Sequence, residues 1–457
     1  MKRKTCFFYL SFSLILLSCA NKKDARVVTP NDIQLAWADA EIGVLFHLDM
    51  PTFKPDYNFR LWGTHPDAAL FNPTALNTDQ WMETARALGA TYAVLVAKHC
   101  SGFSLWPTEA HDYSVKHSPW RDGKGDIVAD FIASCKKYNI RPGIYASTTA
   151  NGYLYVDNPG LVQPGAPVTQ EEYNLIVERQ LTELWRNYGE LFEIWFDGGV
   201  LSKARGGADV LALVEKLQPK AIAFQGPYGH PNLIRWVGNE EGVAPYPCWA
   251  TADSTTNADG TVVINGLNGD PFAPYWCPGE SDFTLRWNRS FQGGWFWTAG
   301  QDSMMFTIDE LMTKYITSVG RNTNMLLGVV IDDRGLIPDA DVQQLTLFGN
   351  EIRRQYETPL CRTAGKGKEY LIRPEQPATI DRAVIQEDIA KGERVLSYRI
   401  EAKTDGEWKQ LSTGTNIGHK HIDKFQPCTV SEIKLIVTEA KAEPLIKDFA
   451  VFTASEK

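Results

Sequence analysis

The segment "ELFEIWFDGG", residues 190–199, runs an apolar stretch into a carboxylate, Asp197, and stops on two glycines. An acid has no place inside a buried parallel strand, yet the C-terminal end of such a strand is where barrel and open α/β enzymes keep their chemistry. An Asp-Gly turn would explain the pair as simply, so other residues must decide. A second acid, Glu240, ends "IRWVGNE" (234–240). His47 lies in "IGVLFHL", His99 closes "YAVLVAKH", Tyr145 lies near the end of "RPGIYAS", and Trp195 stands two residues before Asp197. On a barrel these strand ends converge on one face, and six polar or aromatic groups on that face outweigh a run of structural coincidences. Two carboxylates among histidines and tryptophans suit cleavage of a glycosidic bond. One attacks the anomeric carbon while the other, held protonated, gives its proton to the leaving oxygen. Apolar walls and a neighbouring anion raise the second pKa, which lets two like residues take unlike roles.

The elements that must position these groups follow from periodicity. Eight short runs rich in β-branched or aromatic residues read as strands: 42–48, 92–99, 141–147, 191–197, 221–226, 234–240, "GGWFWT" at 293–298 and "NMLLGVV" at 324–330. Amphipathic stretches lie between several of them, such as "LNTDQWMETARALG", "GDIVADFIASCKKYN" and "TQEEYNLIVERQLTELWRNYG", the last opening on a threonine cap. Strand–helix alternation of this kind predicts a (β/α)8 TIM-like barrel over 31–358, with the Gly-, Pro- and aromatic-rich 241–292 as long loops over the site. Beyond it, stretches such as "VLSYRIEAKTDGEWKQL" alternate on a period of two with no helix between them. The expectation for 359–457 is a C-terminal antiparallel β-sandwich.

Composition narrows the partners. The chain of 457 residues has 46 basic and 55 acidic side chains, a net charge of -9, and no basic block after its start. Nucleic acid is excluded as an expected partner, since nothing is placed to neutralise a phosphate backbone. Fourteen Trp and seventeen Tyr supply flat faces of the kind on which pyranose rings stack, although core packing claims most of them. The opening "MKRKTCFFYLSFSLILLSCANKKD" combines a basic start, an apolar stretch too short to span a bilayer, and a cysteine after Leu-Leu-Ser. "LLSC" resembles a bacterial lipobox. That implies a signal peptide over 1–18, lipidation of Cys19, a tether over 19–30, export, and attachment to a bacterial membrane through the lipid alone. The eight cysteines contain no C-x-x-C pair, so neither a metal nor an organic cofactor is expected.

At this point the residues carry a resemblance. "YAVLVAKHCSGFSLWPTEAHDYSVKHSPWRDGKGDIVADFIASCKKYNIRPGIYAS" is similar to the second-to-third strand block of family 29 α-L-fucosidases, above all the branch acting on α-1,3/1,4 linkages. "YGELFEIWFDGG" resembles that family's nucleophile strand, "RWVGNEEG" its acid/base segment, and "VGRNTNMLLGVVIDDRGLI" its final strand and helix region. The resemblance runs in order along nearly the whole chain. It implies Asp197 as nucleophile and Glu240 as general acid/base, with a fucosylated oligosaccharide or glycoconjugate as substrate. It places His47, Trp62, His99, Tyr145 and Trp195 around the sugar. Glu241 adjoins Glu240, and Glu280 in "PYWCPGESDF" falls where the related branch has an acid touching the next sugar, so both remain acid/base alternatives. Departures stand beside the matches. Cys100 occupies the second of two positions that are usually histidine, Leu61 replaces a common acid, and "STTANGYLYV" differs from the usual run. These changes line the pocket, so a related α-L-sugar such as an α-L-galactoside, or glycan binding without turnover, stays open.

Overall fold

The structure is a computed structural model that describes residues 27–257, 261–287 and 291–453; the leader, Cys19 and most of the tether lie outside the described residues. Eight parallel strands close into a barrel in chain order: β1 (Ile42–His47), β2 (Tyr92–Lys98), β3 (Arg141–Ala146), β4 (Glu193–Trp195), β5 (Ile222–Phe224), β6 (Leu233–Trp236), β7 (Gly279–Thr284) and β8 (Thr323–Val330). Every residue of β1, β2, β7 and β8 is buried, as strands covered on both faces require. Inward side chains such as Leu45, Val94, Val96, Tyr145, Trp195, Phe224, Ile234 and Leu326 fill the barrel as a packed core. The short helix Asp32–Ala38 plugs its lower end, where Trp37 Nε1 donates to Glu193 Oε2 at 3.2 Å.

Six helices cover the outside: α1 (Thr78–Leu88), α2 (Ile127–Tyr138), α3 (Gln170–Asn187), α4 (Val210–Leu217), α5 (Ile308–Thr317) and α6 (Asp339–Tyr356). Their starts are written in the sequence. Thr169 and Thr307 form capping boxes with Glu172 and Glu310, and Asn77 and Asp126 accept from the first-turn amides. No helix lies between β5 and β6, and a three-stranded antiparallel sheet (Thr251–Thr256, Val262–Asn265, Tyr275–Trp276) stands in the β6–β7 connection. The missing helices leave a cavity of about 670 Å³ outside β5 and β6, lined by Val200, Leu201, Leu211, Leu233 and Ile264 among others. It lies behind the loop that follows Asp197, and its lining does not include the Asp197 carboxylate.

One strand differs from expectation. The seventh is "GESDFT", Gly279–Thr284, and "GGWFWT" is a turn. Gly293 and Gly294 there take φ of 65° and 86°, which no strand residue adopts, and they carry the following tryptophan over the barrel mouth.

The last strands form two four-stranded antiparallel sheets, ordered Cys361–Lys366, Leu445–Thr453, Ala378–Glu387, His421–Val430 and Glu369–Ile372, Glu432–Ala440, Val395–Thr404, Glu407–Gly414. They enclose their own core of Ile380, Ile400, Leu435 and Phe449 among others. Val384, Ile422, Ala450 and Phe452 instead join the apolar cluster of the barrel helices. Among the described residues no helix is long and apolar enough to cross a membrane.

Candidate active site

The barrel mouth is lined by an unbroken series of rings. His47, the last residue of β1, has Trp295 at 4.8 Å and His99 at 6.1 Å between ring centroids. His99, one residue past β2, lies nearly parallel to Tyr145 at 5.7 Å, and Tyr145 tilts against Trp195 at 5.4 Å. Phe296 closes on both histidines, at 5.6 and 5.1 Å. The two expected carboxylates stand at the two ends of this wall. Tyr145 donates its hydroxyl to Asp197 Oδ2 at 3.0 Å, and Trp295 Nε1 donates to Glu240 Oε2 at 3.1 Å.

Each end has a local cause. β4 stops at Trp195, and Gly198 and Gly199 at φ 70° and 83° turn the chain directly after Asp197, while Gln225 Oε1 accepts from the Gly198 amide. Thr149 Oγ1 donates to the Asp197 carbonyl at 2.7 Å, which fixes the backbone that carries the carboxylate. Glu240 lies four residues past β6 in a left-handed conformation, φ 60°, uncommon for a residue with a side chain. The Glu241 backbone is held by a β-bridge to Phe283 and by Lys314 Nζ, which donates to its carbonyl at 2.5 Å.

Burial sets the charge states. His47 is pushed down to about 3, first by burial and then by the charge of His99, and His99 is held at about 4 by burial with Lys98 adding to it. Both imidazoles are therefore neutral near pH 7: His47 Nδ1 donates to the Leu45 carbonyl at 3.3 Å, which leaves Nε2 as an acceptor, while His99 offers one donor and one acceptor to a hydroxyl-bearing ligand. Burial raises the Asp197 carboxyl, and the Tyr145 hydroxyl bonded to it pulls the other way. That bond favours the ionised form a nucleophile needs.

Other expectations need correction. Glu280 is not a loop residue over the substrate. It is the second residue of β7, wholly buried, accepting from Tyr92 Oη at 2.7 Å and Trp195 Nε1 at 2.9 Å. Both oxygens are committed inside the barrel, so Glu280 reaches no sugar. Desolvation raises it together with the neighbouring Glu193, and the pair holds a proton and orients Trp195 from below. Trp195 is itself 94% buried and forms a floor. Trp62 stands apart from the ring series, half-buried and stacked on Tyr155 at 5.8 Å in the loop after β3.

Three site residues were not expected. Trp295 and Phe296 lie in the segment whose aromatic content predicts a strand. Asp282, two residues after Glu280 on the same face of β7, accepts from Trp236 Nε1 at 2.6 Å and is pushed up to about 7 by burial, with the nearby Glu240 charge assisting. The signal for Asp282 was the alternation Glu-Ser-Asp, which reads as a loop until the polar face is turned into a barrel.

Comparison with known proteins fits this geometry. The family described as Alpha-L-fucosidase matches residues 37–356. The chain belongs to the α-L-fucosidase family. The matched span runs from the plug helix to the end of α6 and contains both carboxylates and the whole ring series. "Alpha-L-fucosidase 1" of Arabidopsis thaliana is 29% identical over 99% of this chain and 94% of its own length. A "Putative alpha-L-fucosidase 1" of Oryza sativa subsp. japonica is 33% identical over 93% and 85%. The crystal structure of a putative α-L-fucosidase from Bacteroides thetaiotaomicron superposes with a TM-score of 0.87 at 36% identity, covering 94% of this chain and all of that one. The protein is thus a glycoside hydrolase of the α-L-fucosidase family built on a TIM-like barrel with an appended sandwich.

Proposed function

We propose that this protein is an exported, lipid-anchored retaining hydrolase that removes terminal α-L-fucosyl residues, α-1,3/1,4-linked, from glycans. The reading rests on one observation: two acids stand at opposite ends of a single aromatic wall, and each is held by a ring donor. In the first step Glu240, protonated, gives its proton to the leaving oxygen while the Asp197 carboxylate attacks the anomeric carbon. A glycosyl ester forms as the aglycone departs. In the second step Glu240, now ionised, takes a proton from water, which attacks the same carbon and frees Asp197. The neutral His47 and His99 hydrogen-bond sugar hydroxyls, and the wall supplies a flat apolar surface for the C–H face of the ring.

Proton NMR of aryl α-L-fucoside hydrolysis tests the mechanism. The α-anomer of fucose is expected as first product, and the β-anomer would refute double displacement. A screen of aryl α-L-fucoside against aryl α-L-galactoside tests the sugar. Cys100, where an imidazole is usual, supports the galactoside as the second reading, and preferential turnover of it would replace fucose in the proposal. No turnover of either glycoside would leave a glycan-binding protein.

A further inference from the structure

The fold assembles a donor set that cysteine spacing could not reveal. Cys100 and His99 follow β2, Asp197 follows β4, and one donor atom from each lies within 4.8 Å of the other two. Cys100 is 92% buried, and among the described residues no hydrogen bond reaches its sulfur or the ring nitrogens of His99. Tyr145 occupies only Oδ2 of Asp197, which leaves Oδ1 free to bind. We propose that His99, Cys100 and Asp197 form a binding site for a thiophilic divalent cation of the Zn2+ class, and that the cation excludes the sugar and silences the nucleophile reversibly.

The chemistry follows from the ligands. Imidazole, thiolate and carboxylate are a set that Zn2+ accepts, and three protein ligands leave the fourth position to water. Tetrahedral bonds of about 2.0–2.3 Å place ligand atoms roughly 3.5 Å apart. The present spacing therefore needs closing by only about 1 Å, within reach of side-chain rotation. Coordination forms a metal–sulfur bond and sends the Cys100 thiol proton to buffer.

The test uses the mature protein stripped of metal with a chelator. Zn2+ added to the aryl α-L-fucoside assay should inhibit competitively, with full recovery on EDTA, and Cys100→Ser should need roughly 100-fold more Zn2+ relative to its own uninhibited rate. Co2+ supplies a readout free of activity. The wild type should show a thiolate-to-cobalt absorption band that L-fucose displaces, and Cys100→Ser, which keeps the half-buried Cys361 and Cys428, should lack it. Competition with fucose rests on the proposed function, whereas the cobalt band does not, so the two failures are distinguishable. Equal Zn2+ inhibition of wild type and Cys100→Ser, or cobalt bound without a thiolate band, overturns the proposal. Should Cys100→Ser not fold, His99→Gln replaces it: weakened cobalt binding supports the site, and unchanged affinity refutes it.

Discussion

The two carboxylates should fail differently when removed, because their jobs depend differently on the leaving group. Asp197→Ala loses the covalent step whatever departs, and should be inactive on aryl and natural glycosides alike. Glu240→Ala should fall about 10²–10⁴-fold on substrates whose leaving oxygen needs a proton, yet still release a nitrophenolate. Azide should then speed its slow second step and yield the glycosyl azide with retained configuration. Azide rescue of Glu241→Ala with none of Glu240→Ala would move the acid/base role by one residue. The indole beside Glu240 adds its own test. Trp295→Phe keeps the ring beside His47 and deletes the donor to Glu240. Loss of a positioning hydrogen bond to the acid costs about 0.5–1.5 kcal/mol, so kcat/KM on poor leaving groups should drop roughly two- to tenfold. Nitrophenyl substrates should be nearly spared, and an equal loss on both would mean that Trp295 shapes the pocket without tuning the acid.

At the scale of elements, β8 is the backstop for that indole. A Cβ at Gly328 would come within 2.5 Å of Trp295 Cζ3, and the ring would have to shift. Gly328→Ala should therefore reproduce the Trp295→Phe leaving-group dependence from a residue that touches no substrate, with Tm measured alongside to show that the barrel survives. Much of this architecture is legible in the sequence, and the exceptions share one cause. β1, β2 and β8 are buried throughout and mostly apolar, and α3 and α5 open on capping boxes, so propensity and burial agree. β7 hides because Glu280, Ser281 and Asp282 are polar residues buried in a strand, a conflict between local pattern and tertiary placement that marks the vicinity of a site. The opposite error arises at 293–298, where aromatic content imitates a strand and only the adjacent glycines reveal a turn. Asp197, His47, His99 and Tyr145 are legible as a group because each lies on a strand or within two residues of its C-terminal end. Asp282 and Trp295 depend on how loops and the barrel interior meet, which no local period records.

At the scale of the whole molecule the sandwich and barrel are welded by buried polar groups. Asn322, just before β8, donates to the Cys248 carbonyl and accepts from the His419 amide at 2.6 Å, and Glu393 accepts from the Ala250 amide. Glu387 accepts from the amides of Arg394, Val395 and Gly418, while burial and the like charge of Glu393 push it up to about 8. The sign follows from proton counting: the folded chain keeps a proton that the unfolded chain has released. This contribution is complete below about 4.5, and is lost as pH rises through about 8. The depressed histidines His47 and His99 act in the other direction but only below 6.5, and the buried Lys98, held down to about 8, does so only above that value, so the window from 6.5 to 8 isolates the carboxyls. Tm should fall across that window, and Glu387→Gln should flatten the fall; an unchanged slope would locate the alkaline loss elsewhere. Ending the chain after residue 358 removes Ile422, Ala450 and Phe452 from the barrel's apolar cluster and should yield insoluble protein. A soluble truncation fully active on aryl substrates would assign the sandwich to glycan binding alone.

The plug helix also fixes the side of the barrel from which the chain leaves. Gln34 donates to the carbonyls of Pro231 and Trp276, which enter β6 and β7 from below, and the Val28 carbonyl lies against Gly392 of the sandwich. The chain therefore leaves the described fold at Val27 on the side opposite the mouth. An anchor upstream of that point would act as a stalk under the barrel, with the opening directed outward, so that tips of long glycans arriving from the medium meet the pocket before they meet the lipid surface. Cys19→Ala, expected to release the protein from membranes, should then leave turnover of small soluble substrates unchanged and slow only the trimming of chains displayed on a neighbouring surface.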